Sequence, residues 1–516
     1  MSLTVSVREI VSESHNPMLH VDPSWERIEL RNIANVANGF AFKSRNFNRS
    51  KGTPLIRIRN VGNNCTECFY DGDYDRRYLV RSGDLIVGMD GDFKLARWRG
   101  APGLLNQRVC KIDITTNFYD SRFLELVLPG YLSAINEATS SQTVKHLSSR
   151  SIEEIPLPLP PLAEQKRVVA KIETLLSRVN AARERLAKVP IILRRFRQAV
   201  LAAACSGRLT EEWHKEHSGV SRADEIVESI RRRKMHEVGA KKVERVLEIY
   251  KYQEENNSEK LPPTWRYMTL DKLVRSFDYG TSAKSKPTGK VPVLRMGNIQ
   301  NGRIDWSDLM YTSDSGEIKK YRLKPGTVLF NRTNSPELVG KTAIYRGEQP
   351  AIFAGYLIRV NNEPELNPEY LNCCLNTDYA REYCMTVKTD GVSQSNINAQ
   401  KLAKFEIPFC SPEEQQEIVY RVEALFKLAD AIEKRVAAAT MRTDKLTQAV
   451  LAKAFRGELV STEADLARRE GRNYETAAQL LARIKAVREI AGHEQATSKL
   501  KHSERRKKGR TSKKYE

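Results

Sequence analysis

Two stretches of this chain are one element written twice. Residues 164–209 and 414–459 align without an insertion, each position of the second lying 250 places after its counterpart (Glu164 and Glu414, Leu209 and Leu459). Gln198-Ala199-Val200-Leu201-Ala202 matches Gln448-Ala449-Val450-Leu451-Ala452, and Gly207 matches Gly457. A repeat that tolerates no change of length is held by geometry, and the spacing of its apolar residues shows which geometry. In the first copy Val168, Ile172, Leu175, Val179, Ala182, Leu186, Val189, Leu193, Phe196 and Val200 recur at alternating gaps of four and three. The second copy repeats this with Ile418, Val422, Leu425, Ala429, Ile432, Val436, Ala439, Thr443, Leu446 and Val450. That is an a/d seam, the pattern of helices wound about a shared stripe. The 42 residues from Glu164 to Cys205 would make a rod of about 63 Å. Pro190 is expected to kink it or relax one turn. Each copy is also long enough to bury its stripe in a globular core of its own; pairing of the two copies with each other is the expected arrangement.

A chain of 516 residues exceeds a single core and suits about two to four domains. Its 85 Lys and Arg against 64 Asp and Glu leave a formal charge of +21, which favours a polyanionic partner through long-range attraction and counterion release. No apolar run approaches a membrane span and the first residues lack signal-peptide features, so a cytoplasmic location is expected. The eight cysteines are then reduced thiols. Cys65-x-x-Cys68 lacks a second ligand pair, and His214 and His217 beside Trp213 read as surface histidines, so no metal site is expected.

In order, residues 1–22 carry no periodic signal and read as a flexible lead-in. Pro23-Ser24-Trp25 with Leu30 opens a first unit, and Pro263-Thr264-Trp265 with Leu270 opens a second. Each opening leads into a block of short apolar runs broken by Gly, Asn and Asp, over 23–161 and 263–412. Pro54 to Val61 reads as a strand and matches Pro292 to Ile299; Leu79 to Val87 turns at Gly83 as Leu323 to Phe330 turns at Gly326. Both blocks close on proline-punctuated runs, Ile155 to Pro161 and Glu406 to Pro412, which set an extended approach to a helix start. The long helices are expected over 162–209 and 413–460. A polar connector over 210–262 holds a short amphipathic helix marked by Ile226, Ile230 and Val238. A helical segment over 461–498, with Leu480, Leu481 and Ile484, precedes a basic disordered tail over 499–516.

The proline-rich lead-in to Glu164-Gln165 and the closing Gln198-Ala199-Val200-Leu201-Ala202, both repeated, resemble the conserved regions of the specificity (S) subunit of Type I restriction–modification enzymes. The order of variable block, conserved helix, variable block, conserved helix is similar as well, over roughly residues 23–500. The resemblance implies an α/β (α+β) fold with two tandem target recognition domains, the long helices packing as an antiparallel coiled coil with pseudo-two-fold symmetry. It implies that each domain reads one half of a split, asymmetric DNA sequence. It further implies two docked methylation (M) subunits, with nuclease–translocase (R) subunits joining for restriction. This chain would bind no cofactor itself, with S-adenosylmethionine, ATP and Mg acting in the partner subunits.

Catalytic motifs are missing. Gly340-Lys341-Thr342 resembles the end of a P-loop, but Ser335 stands where the motif needs glycine. Asn334-Ser335-Pro336-Glu337 lacks the second proline and the aromatic residue of a tetrapeptide that works on flipped bases. For DNA reading, Arg, Asn and Gln on loops between strands are the candidates. In the first block these are the loop Met89 to Lys94, with Asp90, Asp92 and Lys94, then Arg97, Arg99, Gln107 and Arg108. In the second they are Asn331, Arg332, Thr333, Asn334 and Lys341, which follow their strand as the Asp90 loop follows its own. Ser141-Gln142 and Ser393-Gln394-Ser395-Asn396 are secondary candidates. For inter-helix and subunit assembly the candidates are Val168, Ile172, Leu175, Val179, Leu186, Phe196, Val200, Ile418, Val422, Leu425, Ile432, Leu446 and Val450. Two rival readings are a self-contained DNA methyltransferase or nuclease, and a DNA-binding coiled-coil regulator without enzyme partners.

Overall fold

Each copy of the repeat forms one unbroken helix, Leu162–Ala204 and Pro412–Phe455. Pro190 lies inside the first without ending it; its missing N–H leaves the Leu186 carbonyl without a helical donor, on the exposed side of the helix. The computed structural model describes residues 5–139, 146–237, 240–250, 261–392 and 394–490. The chain divides into two units, Met1–Arg185 with Ala439–Glu516, and Leu186–Ala438. Each long helix thus begins in one unit and ends in the other.

In the first unit the opening turns of the first long helix pack on the closing turns of the second. Val168 and Ile172 share a core with Ala454 and Phe455, and Val450 packs against it. Arg183 adds an ion pair to Asp444 at 2.7 Å. In the second unit Val200, Leu201 and Ala204 share a core with Ile418 and Val422, with Phe196 and Leu425 packed alongside. Arg197 reaches Asp430 at 2.8 Å and Glu433 at 2.9 Å. Early residues of one helix meet late residues of the other in both units, so the pairing is antiparallel. Val168, Ile172, Val200, Ile418 and Val422 are buried, while Leu175, Val179, Leu186, Phe196, Leu425, Ile432 and Val450 are half-buried. Leu446 departs from the expected seam: it is 51 % exposed. The expected Thr443 is buried, and the half-buried Thr447 takes the next inner position in place of Leu446, because a step of four from Thr443 keeps that row facing its partner.

The sheets of the two units repeat one plan. In the first, a four-stranded antiparallel sheet runs in the order Ala34–Asn38, Val109–Ile114, Leu85–Gly88, Leu95–Arg97. In the second the order is Val274–Tyr279, Leu357–Asn362, Thr327–Asn331, Thr342–Tyr345, again antiparallel. Each unit has a second sheet, of five strands in the first and three in the second, with one parallel pairing: Thr53–Ile56 beside Gly103–Leu105, and Val291–Leu294 beside Ile352–Phe353. The expected longer strands stop early, at Ile56 and Leu294, and turn into 3-10 helices Ile58–Asn60 and Met296–Asn298.

The proline-punctuated runs are strands. Pro156–Leu159 pairs with Glu26–Glu29, and Glu406–Phe409 with Arg266–Thr269. Pro156 and Pro158 stand two apart, so both occupy ladder positions that require no N–H.

Residues 5–22 differ from the expected flexible lead-in. They hold a helix, Val7–Glu13, capped by Ser6, whose Val7, Ile10 and Val11 are buried in the first unit's core. An apolar set confined to two turns is too short to register as a period. The connector holds helices Glu211–Glu216, Ala223–Glu237 and Ala240–Ile249 rather than one, with Ile226 and Ile230 buried. Val238, Gln142 and the basic tail over 499–516 lie outside the described residues.

Candidate DNA interface

The repeated Glu-Gln at each helix entrance ties the helix to its own sheet. Glu164 accepts the indole N–H of Trp25 (2.9 Å) and the backbone N–H of Glu463 (2.8 Å). Burial pushes its carboxyl pKa up, partly opposed by these donors and by Arg167. Gln165 accepts the N–H of Asp120 (2.7 Å) and donates to the carbonyls of Phe118 and Pro160. In the second unit Glu414 accepts from Trp265 (2.8 Å) and the Thr210 hydroxyl (2.9 Å). Gln415 accepts from the Asn367 N–H (2.8 Å) and donates to Glu365 and Cys410 carbonyls. Asp120 and Asn367 are themselves N-caps, of helices Ser121–Ala138 and Pro368–Leu375, so the bracket fixes a helix lining each sheet.

The loops leaving each sheet share a set of backbone bonds. Gly88 N–H donates to Lys94 O (2.9 Å) as Asn331 N–H donates to Lys341 O (2.8 Å). Met89 N–H donates to Arg108 O as Arg332 N–H does to Tyr356 O, both at 3.0 Å. Leu147 N–H donates to Met89 O (2.8 Å) as Ile397 N–H does to Arg332 O (2.9 Å). These bonds match Asp90 with Thr333 and His146 with Asn396, two pairs that face each other across a β-bridge. The scaffold is common and the side chains are not.

In the first unit Asp90 sits between His146 Nδ1 (2.7 Å) and Arg108 (3.1 Å). Asp92 and Lys94 are exposed and 3.6 Å apart. Phe93 between them is buried at φ +47°, which folds the loop over the core. Arg97 points elsewhere: it donates to Glu125 (2.9 Å) and to the Gly83 carbonyl (2.7 Å). Arg99 and Gln107 are exposed, each tied to the fold through its backbone.

In the second unit Arg332 stacks on Tyr279, 4.7 Å from the ring centroid, and donates to Asn396 Oδ1 (3.3 Å) and the Gly355 carbonyl (3.4 Å). Asn396 donates to the Thr333 hydroxyl (2.8 Å), and Asn334 accepts from the Ser335 N–H (2.8 Å). Lys341 donates to Gln300 Oε1 (2.9 Å); burial and then Arg381 lower its pKa. Gln394 is exposed beside the fully exposed Val392. Asn331 departs from its expected place on the loop: it ends the strand, is 0 % exposed, and neither atom of its amide has a partner.

The family model for the Type I restriction modification DNA specificity domain matches residues 23–190 and 262–439. The EcoBI specificity subunit of Escherichia coli is 38% identical over 511 residues, 97% of this chain and all of that one. The EcoKI specificity subunit of E. coli strain K12 is 30% identical, over 72% of each chain. This chain belongs to the Type I restriction–modification specificity subunits.

A solved chain from work on complex assembly and conformational transition of the type I R-M system shares the fold, with a TM-score of 0.59 at 19% identity over 85% of this chain and 99% of that one. A specificity subunit is the non-catalytic recognition member of its complex, in keeping with the catalytic motifs missing from the sequence. His146 and Tyr279 escaped the sequence reading because their partners, Asp90 and Arg332, lie 56 and 53 residues away (His146 to Asp90, Arg332 to Tyr279) and meet them only in the folded sheet. No described helix is long and apolar enough to cross a membrane.

Proposed function

We propose that this specificity subunit reads a split, asymmetric DNA target, one half-site per unit, and directs partner subunits to methylate adenine or cleave the duplex. Residues 23–161 and 263–412 act as its two target recognition domains. The observation that carries this reading is the pair of loops held by the same backbone bonds and furnished with unlike side chains. Two readers of one geometry but different chemistry select two different base sequences. Arg332, oriented on Tyr279, suits a guanine edge, and Gln394 and Asn396 suit adenine; His146 and Arg108 offer donors in the first unit. Exposed lysines and arginines such as Lys94 and Arg99 fix register on phosphate.

The long helices carry two methylation subunits, with nuclease–translocase subunits joining for restriction; S-adenosylmethionine, ATP and Mg act in those partners. Exposed apolar side chains on these helices support the docking: Ile191, Ile192 and Leu428 in the second unit, Met441 and Leu446 in the first. Mapping methylated adenines genome-wide, with and without the gene, tests the reading. The expected result is a motif of two unequal parts separated by a constant run of unread bases. A continuous palindromic motif, or an unchanged methylation map, overturns it.

A further inference from the structure

The second unit has a concavity of about 620 Å³ between the closing turns of the first long helix and the recognition domain. Arg194, Arg195 and Arg381 line it together with Gln198, Asn301 and Asp378. Among the described residues none of the three arginine side chains is in an ion pair or a hydrogen bond, and Asp378 is in no ion pair with them. Their neighbours are committed: Arg197 holds Asp430 and Glu433, and Arg303 holds Asp430. A charged helix face normally sheds its arginines into solvent or onto i,i+4 acids. Arg194, Arg195 and Arg381 are exposed and uncommitted, and three guanidinium groups around one hollow with a single carboxylate make a site of net positive charge open to an anion.

The position of the hollow narrows the choice of anion. Gln198 ties the helix to the recognition domain by donating to the Asn376 carbonyl (3.2 Å). Asn301, held at φ +50°, belongs to the turn whose Gln300 accepts from Lys341. Lys341 closes the loop that carries Arg332. The seat therefore adjoins the reader loop. Its counterpart is absent from the other copy of the helix, where the offset of 250 places Asp444 and Lys445, and Asp444 is paired with Arg183.

We infer that Arg194, Arg195 and Arg381 form a phosphodiester-binding seat that holds the DNA backbone flanking the half-site read by the second unit. The inference rests on the proposed reading of DNA by that unit. It assigns to a long helix, and not only to the recognition loops, a part in fixing the duplex.

The test is binding of the full chain to a short duplex of random sequence, with KCl varied between about 50 and 200 mM. The slope of log K against log salt falls in magnitude by about 0.9 for every phosphate that the chain no longer neutralises. The variant Arg194→Ala/Arg195→Ala/Arg381→Ala should therefore lose about 1 to 3 from that slope. The matching triple lysine variant should restore the slope, since lysine keeps the charge. Equal thermal unfolding of both variants and the parent guards against misfolding. A slope unchanged in the alanine variant overturns the seat, as does a slope unchanged while assembly with methylation subunits fails, which would assign the arginines to protein carboxylates. Failure of the parent chain to bind duplex at all overturns the underlying reading instead, so the two failures are distinguishable.

Discussion

Arg332 is fastened from several sides before any ligand arrives. Its backbone is bonded to Tyr356 and Ile397, its guanidinium lies on Tyr279, and two of its nitrogens donate to Gly355 and Asn396. A side chain ordered this way has already given up the rotamer freedom that an exposed arginine loses on binding. Arg332→Lys keeps the charge and loses both the stacking plane and the fork. The expected cost is about 1 to 3 kcal/mol on the cognate duplex, with the salt slope unchanged because every phosphate partner is kept. Titration of the target found by methylation mapping checks this; parental affinity in the lysine variant shows that Arg332 reads no base. Tyr279→Ala should give a smaller loss in the same assay, since it removes the platform and leaves the guanidinium.

At the scale of elements, the Glu-Gln bracket explains why that dipeptide recurs at both helix entrances. Glu164→Ala leaves the Trp25 indole and the Glu463 N–H buried without an acceptor. Each orphaned donor costs about 1 to 3 kcal/mol, so a drop in thermal stability is expected, with little effect on a Leu446→Ala control whose side chain is largely in solvent. The carboxyl also has a pH signature. Its folded pKa is raised by burial, so the folded chain holds that proton more tightly than the unfolded one. Its contribution is complete below the unfolded value of about 4.3 and is lost as pH rises through the folded one. Thermal unfolding followed upward from about pH 4 should show Glu164→Gln lacking that decline; parallel profiles would rule it out. The seam was legible in the sequence because burial follows side-chain spacing along a helix, from Val168 through Val200. Leu446 misled because hydrophobicity alone does not say which of two adjacent rows faces inward. The short strands were legible only in part: Ile58 and Met296 are apolar and continue the runs, yet an Asn at Asn60 and Asn298 folds back on the backbone of Arg57 and Arg295 and ends each strand. The two loop pairs were least legible, since Asp90 meets His146 and Thr333 meets Asn396 through sheet pairing that no local pattern encodes.

For the whole molecule, the duplication yields two units with separate hydrophobic cores, each containing one sheet set and parts of both long helices. Asp90 with its partners His146 and Arg108 belongs to one, and Arg332 with Tyr279 and Asn396 to the other. The two sets share no residue. Changes at sites without shared partners combine additively to within about 0.3 to 0.5 kcal/mol. Asp90→Ala releases His146 from its hydrogen bond and Arg108 from its ion pair and should weaken selection of one half of the target. Arg332→Ala should weaken selection of the other half. On a duplex scrambled in the first half, Asp90→Ala should then make no further difference while Arg332→Ala keeps its full effect, and the reverse should hold for the second half. The double variant on the intact target should lose the sum of the two. Equal losses on both scrambled duplexes, or a double variant no worse than either single one, would mean that the two loops read a single shared sequence, and the split target would have to be given up.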